Sequence, residues 1–282
     1  MGKMKVWITG AKGRLGSTIA KMLDYTEYIV YTSDLDVDIS SMPDVMSYIE
    51  VTRPDVVINC AGYSDETLCE ENQAMAYKVN ALGARNIAAA TRKIGAKIIH
   101  ISTDDVFSGE AGNELTEFDM AYPRSVYGKS KLAGENFVRD LNPRHLIIRS
   151  SWVYGGIKTT NDFVYNLLKQ AETETVIAVP NDQISSPTSA RVLAEFILKL
   201  LHTNEYGIYH ASCTGSCTRY EFAKTILEYA GLHHVQIEPT FTEKGMVKAK
   251  YTLLRNLMME ITGLYQMPYW KDELKKYIAN KK

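Results

Sequence analysis

"KVWITGAKGRLGSTIA", residues 5–20, is the stretch on which the fold turns. A β-rich run, Lys5 to Thr9, stops at a glycine, and glycines recur at Gly10, Gly13 and Gly16. Beyond them Leu15, Ile19, Met22 and Leu23 repeat at helical spacing, so 13–25 reads as a helix. Glycines let a strand-to-helix turn approach a ligand closely, and the helix N-terminus offers free N–H groups to an anion. The pattern is G-x-x-G-x-x-G. Alone it is weak evidence; after the first strand of an alternating chain it reads as a dinucleotide site, with Gly10, Gly13, Arg14, Leu15 and Gly16 against the cofactor.

The alternation continues. Further strands are read at 28–32, 55–59, 96–102 and 145–150, and helices at 42–52, roughly 70–93, and from the Tyr127 stretch to Asn142-Pro143. Continuous apolar strands separated by helices mean a parallel sheet covered on both faces, an α/β doubly wound fold of the Rossmann type. After residue 150 the rhythm changes. We read a helix at 162–172, a strand at 175–180 and an amphipathic helix at 187–201 capped by Thr188. A late strand at 207–212 and a helix at 218–231, ended by Gly231, follow. The expected division is a dinucleotide-binding domain at 1–150 and a smaller, mainly substrate-binding region at 151–282. Segments near 188–212 are expected to return to the first.

The 282 residues are 45% hydrophobic and 23% charged, an ordinary globular composition. Lys and Arg total 32 against 33 Asp and Glu, a net charge of −1, so no basic field recommends a nucleic acid or an anionic membrane as partner. No run approaches the about 18 apolar residues of a membrane span, and the apolar start is too short for a signal peptide. The expectation is a cytoplasmic protein. Cys60, Cys69, Cys213 and Cys217 form no C-x-x-C, and no metal site is expected.

The second strand runs into "YTSD", where Asp34 comes late for a ribose-binding acid. Arg14 either reaches a 2′-phosphate or stays solvated in the first turn. The reading leans to NADPH (NADP) over NADH (NAD), with Asp38 and Ile39 flanking the adenine.

"ISTDDVFSG" (101–109) closes the fourth strand, at the carboxyl end where ligands of such sheets bind. Ser102 and Thr103 are expected to point hydroxyls at the reacting end of the cofactor. "SVYGKSKLAGE" (125–135) sets Tyr127 and Lys131 on one face of the next helix. By themselves such pairs are as often surface decoration. Behind a nucleotide site they can do acid–base work: Thr103 orients an oxygen, Tyr127 passes a proton, and Lys131 lowers the tyrosine pKa and holds the ribose.

These motifs, with "RPDVVINCAGY" (53–63), "VNALGARNIA" (79–88), "HLIIRSSWVYG" (145–155) and "VPNDQISSPT" (179–188), resemble the extended short-chain dehydrogenases/reductases. Within them the chain resembles the dTDP-4-dehydrorhamnose reductase family nearly end to end. The resemblance implies a catalytic triad of Thr103, Tyr127 and Lys131. It places Asn59, Ala61, Gly62 and Asn80 along the cofactor, and Tyr63, Trp152 and Gln183 near the sugar. For Asn80 a role inside its helix, and for Trp152 a core role, remain alternatives. The implied activity is NAD(P)H-dependent reduction of a nucleotide-activated 4-keto-6-deoxysugar, and a homodimer is compatible with it. An extended-family epimerase or dehydratase is the alternative enzyme. A non-catalytic NADP-binding regulatory subunit, like that of methionine adenosyltransferase, is the alternative of another class.

The departures lie on the substrate side. Asp105 stands where the family reads S-T-D-Y-V-F. "GYSDET" (62–67) replaces A-Y-T-A-V-D, and "KAKYTLL" (248–254) keeps Thr252 and Leu254 but not the Arg-Pro of R-P-x-x-S/T-x-L. A pocket suited to a more hydroxylated or amino-substituted sugar is expected, with Asp105 a main cause.

Overall fold

The computed structural model describes residues 2–110, 112–157, 162–242 and 249–280. Strands β1 (Met4–Thr9), β2 (Tyr28–Thr32), β3 (Val56–Asn59), β4 (Lys97–Thr103) and β5 (His145–Ser150) join a sixth, Gly207–His210, in one parallel sheet. The order is sixth–β5–β4–β3–β1–β2. The chain runs outward from β1 to β2, then crosses back to β3. A crevice therefore opens between the carboxyl ends of β1 and β3, where ligands of doubly wound sheets sit.

Alternate residues of each strand serve opposite faces. Val6, Ile8, Ile58, Ile99, Leu146 and Ile148 pack with α1 (Arg14–Met22) and the helix Ala190–Leu200. Trp7, Val57, Ile98 and Ile147 pack with α2 (Met42–Thr52) and the helix Ala84–Ile94. Burial on both faces explains why these strands read as unbroken apolar runs. A separate core gathers Tyr154, Phe222, Trp270 and Leu274 in the second half of the chain.

Two helices differ from their sequence reading. The span 70–93 is four pieces: Glu66–Glu71, Gln73–Tyr77 capped by the Asn72 side chain, a π-turn Lys78–Gly83, and Ala84–Ile94. The π-turn accompanies a long-range demand on Asn80, described below. The amphipathic helix begins at Ala190, and its cap is Ser189, whose hydroxyl accepts from Val192 N–H. Thr188 lies instead in a two-residue strand beside Val153–Tyr154, and its hydroxyl accepts from Cys213 N–H.

Candidate active site

A cleft of about 1860 Å³ runs along the carboxyl edge of the sheet. At its β1 end Gly10 has φ +61°, and a Cβ there would lie 2.7 Å from Ala61 N. Only glycine meets both conditions. The N-cap of α1 is Gly13, which brings no capping side chain, and the first turn holds no acid. Its N–H groups are left for an anion, so the cradle fits a dinucleotide pyrophosphate. Leu15, Gly16, Ala61 and Gly62 line the same wall.

The carboxylate of Asp34 accepts from Lys12 and Leu35 N–H, which ties the end of β2 to the glycine turn. Asp38, held by Ser40, and Ile39 line the cleft beside it. Arg14 departs from a simple reach toward a phosphate: its Nη1 donates to Val153 O at 2.7 Å, pinning α1 to the segment after β5.

Two residues expected at the ligand, Asn59 and Asn80, stand behind the wall. Asn59 is 1% exposed and does not line the cleft. Its Oδ1 accepts from Thr9 Oγ1 and its Nδ2 lies 3.1 Å from His100 Nδ1. Asn80 is likewise buried, and clamps Tyr63 at both backbone groups: Oδ1 accepts from its N–H at 2.8 Å, and Nδ2 donates to its carbonyl and to Ser130 Oγ. It positions Tyr63, which does line the cleft. Ser102 lines the cleft, and its hydroxyl donates to Glu135 Oε1 at 2.5 Å.

The helix Val126–Leu141 carries Tyr127, Lys131 and Glu135 at successive i, i+4 positions. Lys131 is 5% exposed, and its Nζ donates to Ile101 O at 2.5 Å. Glu135, one turn on, joins Ser102 of β4 to Arg149 of β5. Gly128 lets the helix press on the turn after β4, since a Cβ would sit 2.1 Å from Asp105 O. Glu135 was not singled out from sequence, though the spacing after Lys131 repeats that of Tyr127 to Lys131.

Thr103 Oγ1 sits between two carboxylates, 3.2 Å from Asp104 Oδ1 and 3.4 Å from Asp105 Oδ2, and accepts from Asp105 N–H. Burial pushes Asp104 up to about 6, against the hydroxyls of Thr252, Thr103 and Ser185. Those bonds make Asp104 a tie to the later segments rather than a free acid. Burial, and then Asp105, hold the Tyr127 phenol well above its ordinary range, while Thr103 works the other way. The net direction is upward, against the lowering by Lys131 expected from sequence. The tyrosine therefore stands protonated at neutral pH, the state an acid needs.

Burial pushes Lys131 down to about 8. The charged form exists below that pH and is lost above it. Since kcat/KM reports the free enzyme, its value for NADPH is expected to fall about tenfold per pH unit above pH ~8. The Lys131→Met variant, low throughout, loses this limb; an unchanged limb in the variant assigns it elsewhere.

At the sugar end Trp152, φ +41°, and Gln183 line the cleft beside Tyr63 and Asp105. Gln183 Nε2 donates to Thr242 Oγ1. Of 248–254, Lys248 lies outside the described residues; Ala249 and Thr252 line the cleft. Sequence reading missed Arg219, whose guanidinium carbon lies 3.4 Å from the Trp152 ring centroid.

A phenol, an ammonium and a hydroxyl meeting at the carboxyl end of β4, on a sheet whose first turn is built of glycines, place the chain among the extended short-chain dehydrogenases/reductases. Within that class it belongs to the family described as the RmlD substrate binding domain, whose model matches residues 4–282. It is similar to the crystal structure of a dTDP-4-dehydrorhamnose reductase from Bacillus anthracis in complex with NADP: TM-score 0.95, 39% identity, covering 99% of this chain and 100% of that one. Similar too is a dTDP-4-dehydrorhamnose reductase ortholog from Clostridium acetobutylicum, at TM-score 0.94 and 41% identity over 99% of each chain. The spore coat polysaccharide biosynthesis protein SpsK of Bacillus subtilis is 35% identical over 98% of each chain.

Proposed function

We propose that the protein reduces the 4-keto group of a nucleotide-activated 4-keto-6-deoxysugar, as a dTDP-4-dehydrorhamnose reductase does. The observation that carries this is Tyr127, half-buried and protonated beside Thr103 in the cleft that begins at the glycine cradle. The relatives of near-identical fold, named for this reaction, support it.

The cofactor is a nicotinamide dinucleotide, which supplies the hydride when bound. Tyr127 gives its proton to the oxygen that was the carbonyl, and Thr103 orients that oxygen. Lys131 holds the ribose. The part of the chain before residue 150 carries the cofactor cradle; the part after it contributes Trp152 and Gln183 to the sugar. No helix among the described residues is long and apolar enough to cross a membrane. We place the protein in the cytoplasm, where its reduced cofactor is soluble.

NADPH is the preferred form in this reading. Arg14 has one nitrogen on Val153 O and others available at the adenosine end of the cleft. The Arg14→Ala variant is expected to bind NADPH about ten- to a hundredfold more weakly, the range for charge-assisted hydrogen bonds, and NADH as before. Equal loss of both in a titration assigns Arg14 to holding Val153.

The test of function is NADPH oxidation against a panel of nucleotide 4-keto-sugars. It begins with dTDP-4-dehydrorhamnose and includes hydroxylated and amino-substituted sugars, because Asp105 lines the pocket. Turnover of a member is the expected result. A protein that binds NADPH and reduces none of them overturns the reading.

A further inference from the structure

Arg219 sits in a setting that disfavours its charge. It is the first residue of the helix Arg219–Ala230, directly after the N-cap Thr218. A cation there opposes the positive end of the helix dipole. The side chain is partly buried, and burial pushes its pKa down to about 10. Its guanidinium carbon lies 3.4 Å from the Trp152 ring centroid and 4.8 Å from that of Phe163. Among the described residues its guanidinium makes no hydrogen bond or ion pair; only its backbone N–H is committed, to Gln183 O at 3.0 Å.

Stacking uses the faces of a guanidinium and leaves its edge N–H donors free, in the fork that matches phosphate oxygens. One of its two stacking partners, Trp152, is itself held in the left-handed region, a conformation that non-glycine residues keep mostly at turns and ligand sites. Held on two rings, with no hydrogen bond or ion pair among the described residues and with the carboxylates of Asp104, Glu66 and Asp105 acting on it only at longer range, this cation on the wall of the cleft has donors to offer an anion.

Its location says which anion. The cofactor pyrophosphate belongs at the start of α1, beside β1. Trp152 follows β5, which β4 and β3 separate from β1, although its neighbour Val153 takes a bond from Arg14 of α1. Arg219 lines the cleft together with Tyr127, Asp104, Asp105 and Glu66, and those carboxylates act on both Arg219 and Tyr127, which sets Arg219 on the tyrosine's side of the cleft. The anionic part of a nucleotide sugar is its diphosphate.

We propose that Arg219, presented from between the rings of Trp152 and Phe163, receives the diphosphate of the nucleotide-sugar substrate and so sets its affinity. This rests on the nucleotide-sugar reading above.

The test compares dTDP, UDP and thymidine binding by calorimetry in the whole wild-type chain and in Arg219→Gln and Arg219→Lys. The glutamine variant is expected to bind the diphosphates about ten- to a hundredfold more weakly. Thymidine and NADPH stay within about twofold, NADPH also showing that the variant is folded. Lysine, a point charge without the fork, recovers part of the loss. Three results overturn the inference: diphosphate affinity indifferent to Arg219, equal loss of thymidine and dTDP, or a wild type that binds neither diphosphate. Turnover of the sugar panel with Arg219-independent dTDP binding keeps the reductase reading and removes this one. Arg219-dependent dTDP binding without turnover does the reverse.

Discussion

Tyr127→Phe is expected to lower keto-sugar turnover by about 10²- to 10⁴-fold while NADPH binds with nearly unchanged affinity. The variant removes one oxygen from a half-buried side chain and leaves the ring that packs with Cys69, Ala76 and Val126. Lys131 keeps its bond to Ile101 O, which does not pass through the phenol. The cofactor cradle at Gly10 and Gly13 is untouched. What goes is the proton donor. Single-turnover kinetics with NADPH preloaded isolate that step, and a phenylalanine variant with full turnover would sink the mechanism. A loss confined to KM, with kcat intact, would make Tyr127 a binding group instead.

The second large effect is on stability. Arg149→Met is expected to destabilise the fold by about 3–5 kcal/mol, the cost of leaving a buried charge without its partner. Arg149 Nε and Nη2 donate to the Glu135 carboxylate at 3.0 and 2.7 Å, with side chains 4% and 2% exposed. Ser102 is the carboxylate's other donor. Methionine fills much of the volume, so the loss is electrostatic rather than a cavity. Removing both charges, as Arg149→Met with Glu135→Leu, is expected to cost less than the single change. Urea unfolding of the two singles and the double at neutral pH measures this. A single variant within about 1 kcal/mol of wild type, or a double that is worse, contradicts it.

The parts of the fold and site that could be read from sequence are those whose cause is local. The glycine turn and its helix, Pro43 in the first turn of α2, and Gly231 beyond a helix end need only neighbouring residues. Tyr127 and Lys131 are legible because i and i+4 share a face whatever surrounds them. The failures are long-range. Asn80 is placed near the cofactor only by resemblance, and its clamp on Tyr63 is seen only in the folded chain. Asn59 reads as a turn residue beside the cofactor, yet its amide is claimed by Thr9 and His100 from the two neighbouring strands. Thr188 and Ser189 are adjacent hydroxyls, and only the pairing of Thr188 with Val153 decides which caps. Arg219 carries no motif: what distinguishes it are two rings contributed by distant segments.

The sixth strand bears on how this chain can be recombined. Gly207–His210 comes from the later half of the sequence, yet pairs in register with Leu146 to Arg149. The helix Ala190–Leu200 just before it packs on α1. A cut at residue 150 would leave the hydrogen-bonding edge of β5 open, an invitation to aggregate. Chimeras meant to graft a new sugar pocket onto this cofactor half therefore need three junctions rather than one. The first falls after β5. The second lies before Thr188 and the third beyond His210, with 188–210 retained from the parent that supplies β1 to β5. The exchangeable material is what remains: 151–187 and the stretch past 210, two inserts that must come from the same donor because Trp152 and Arg219 meet across them.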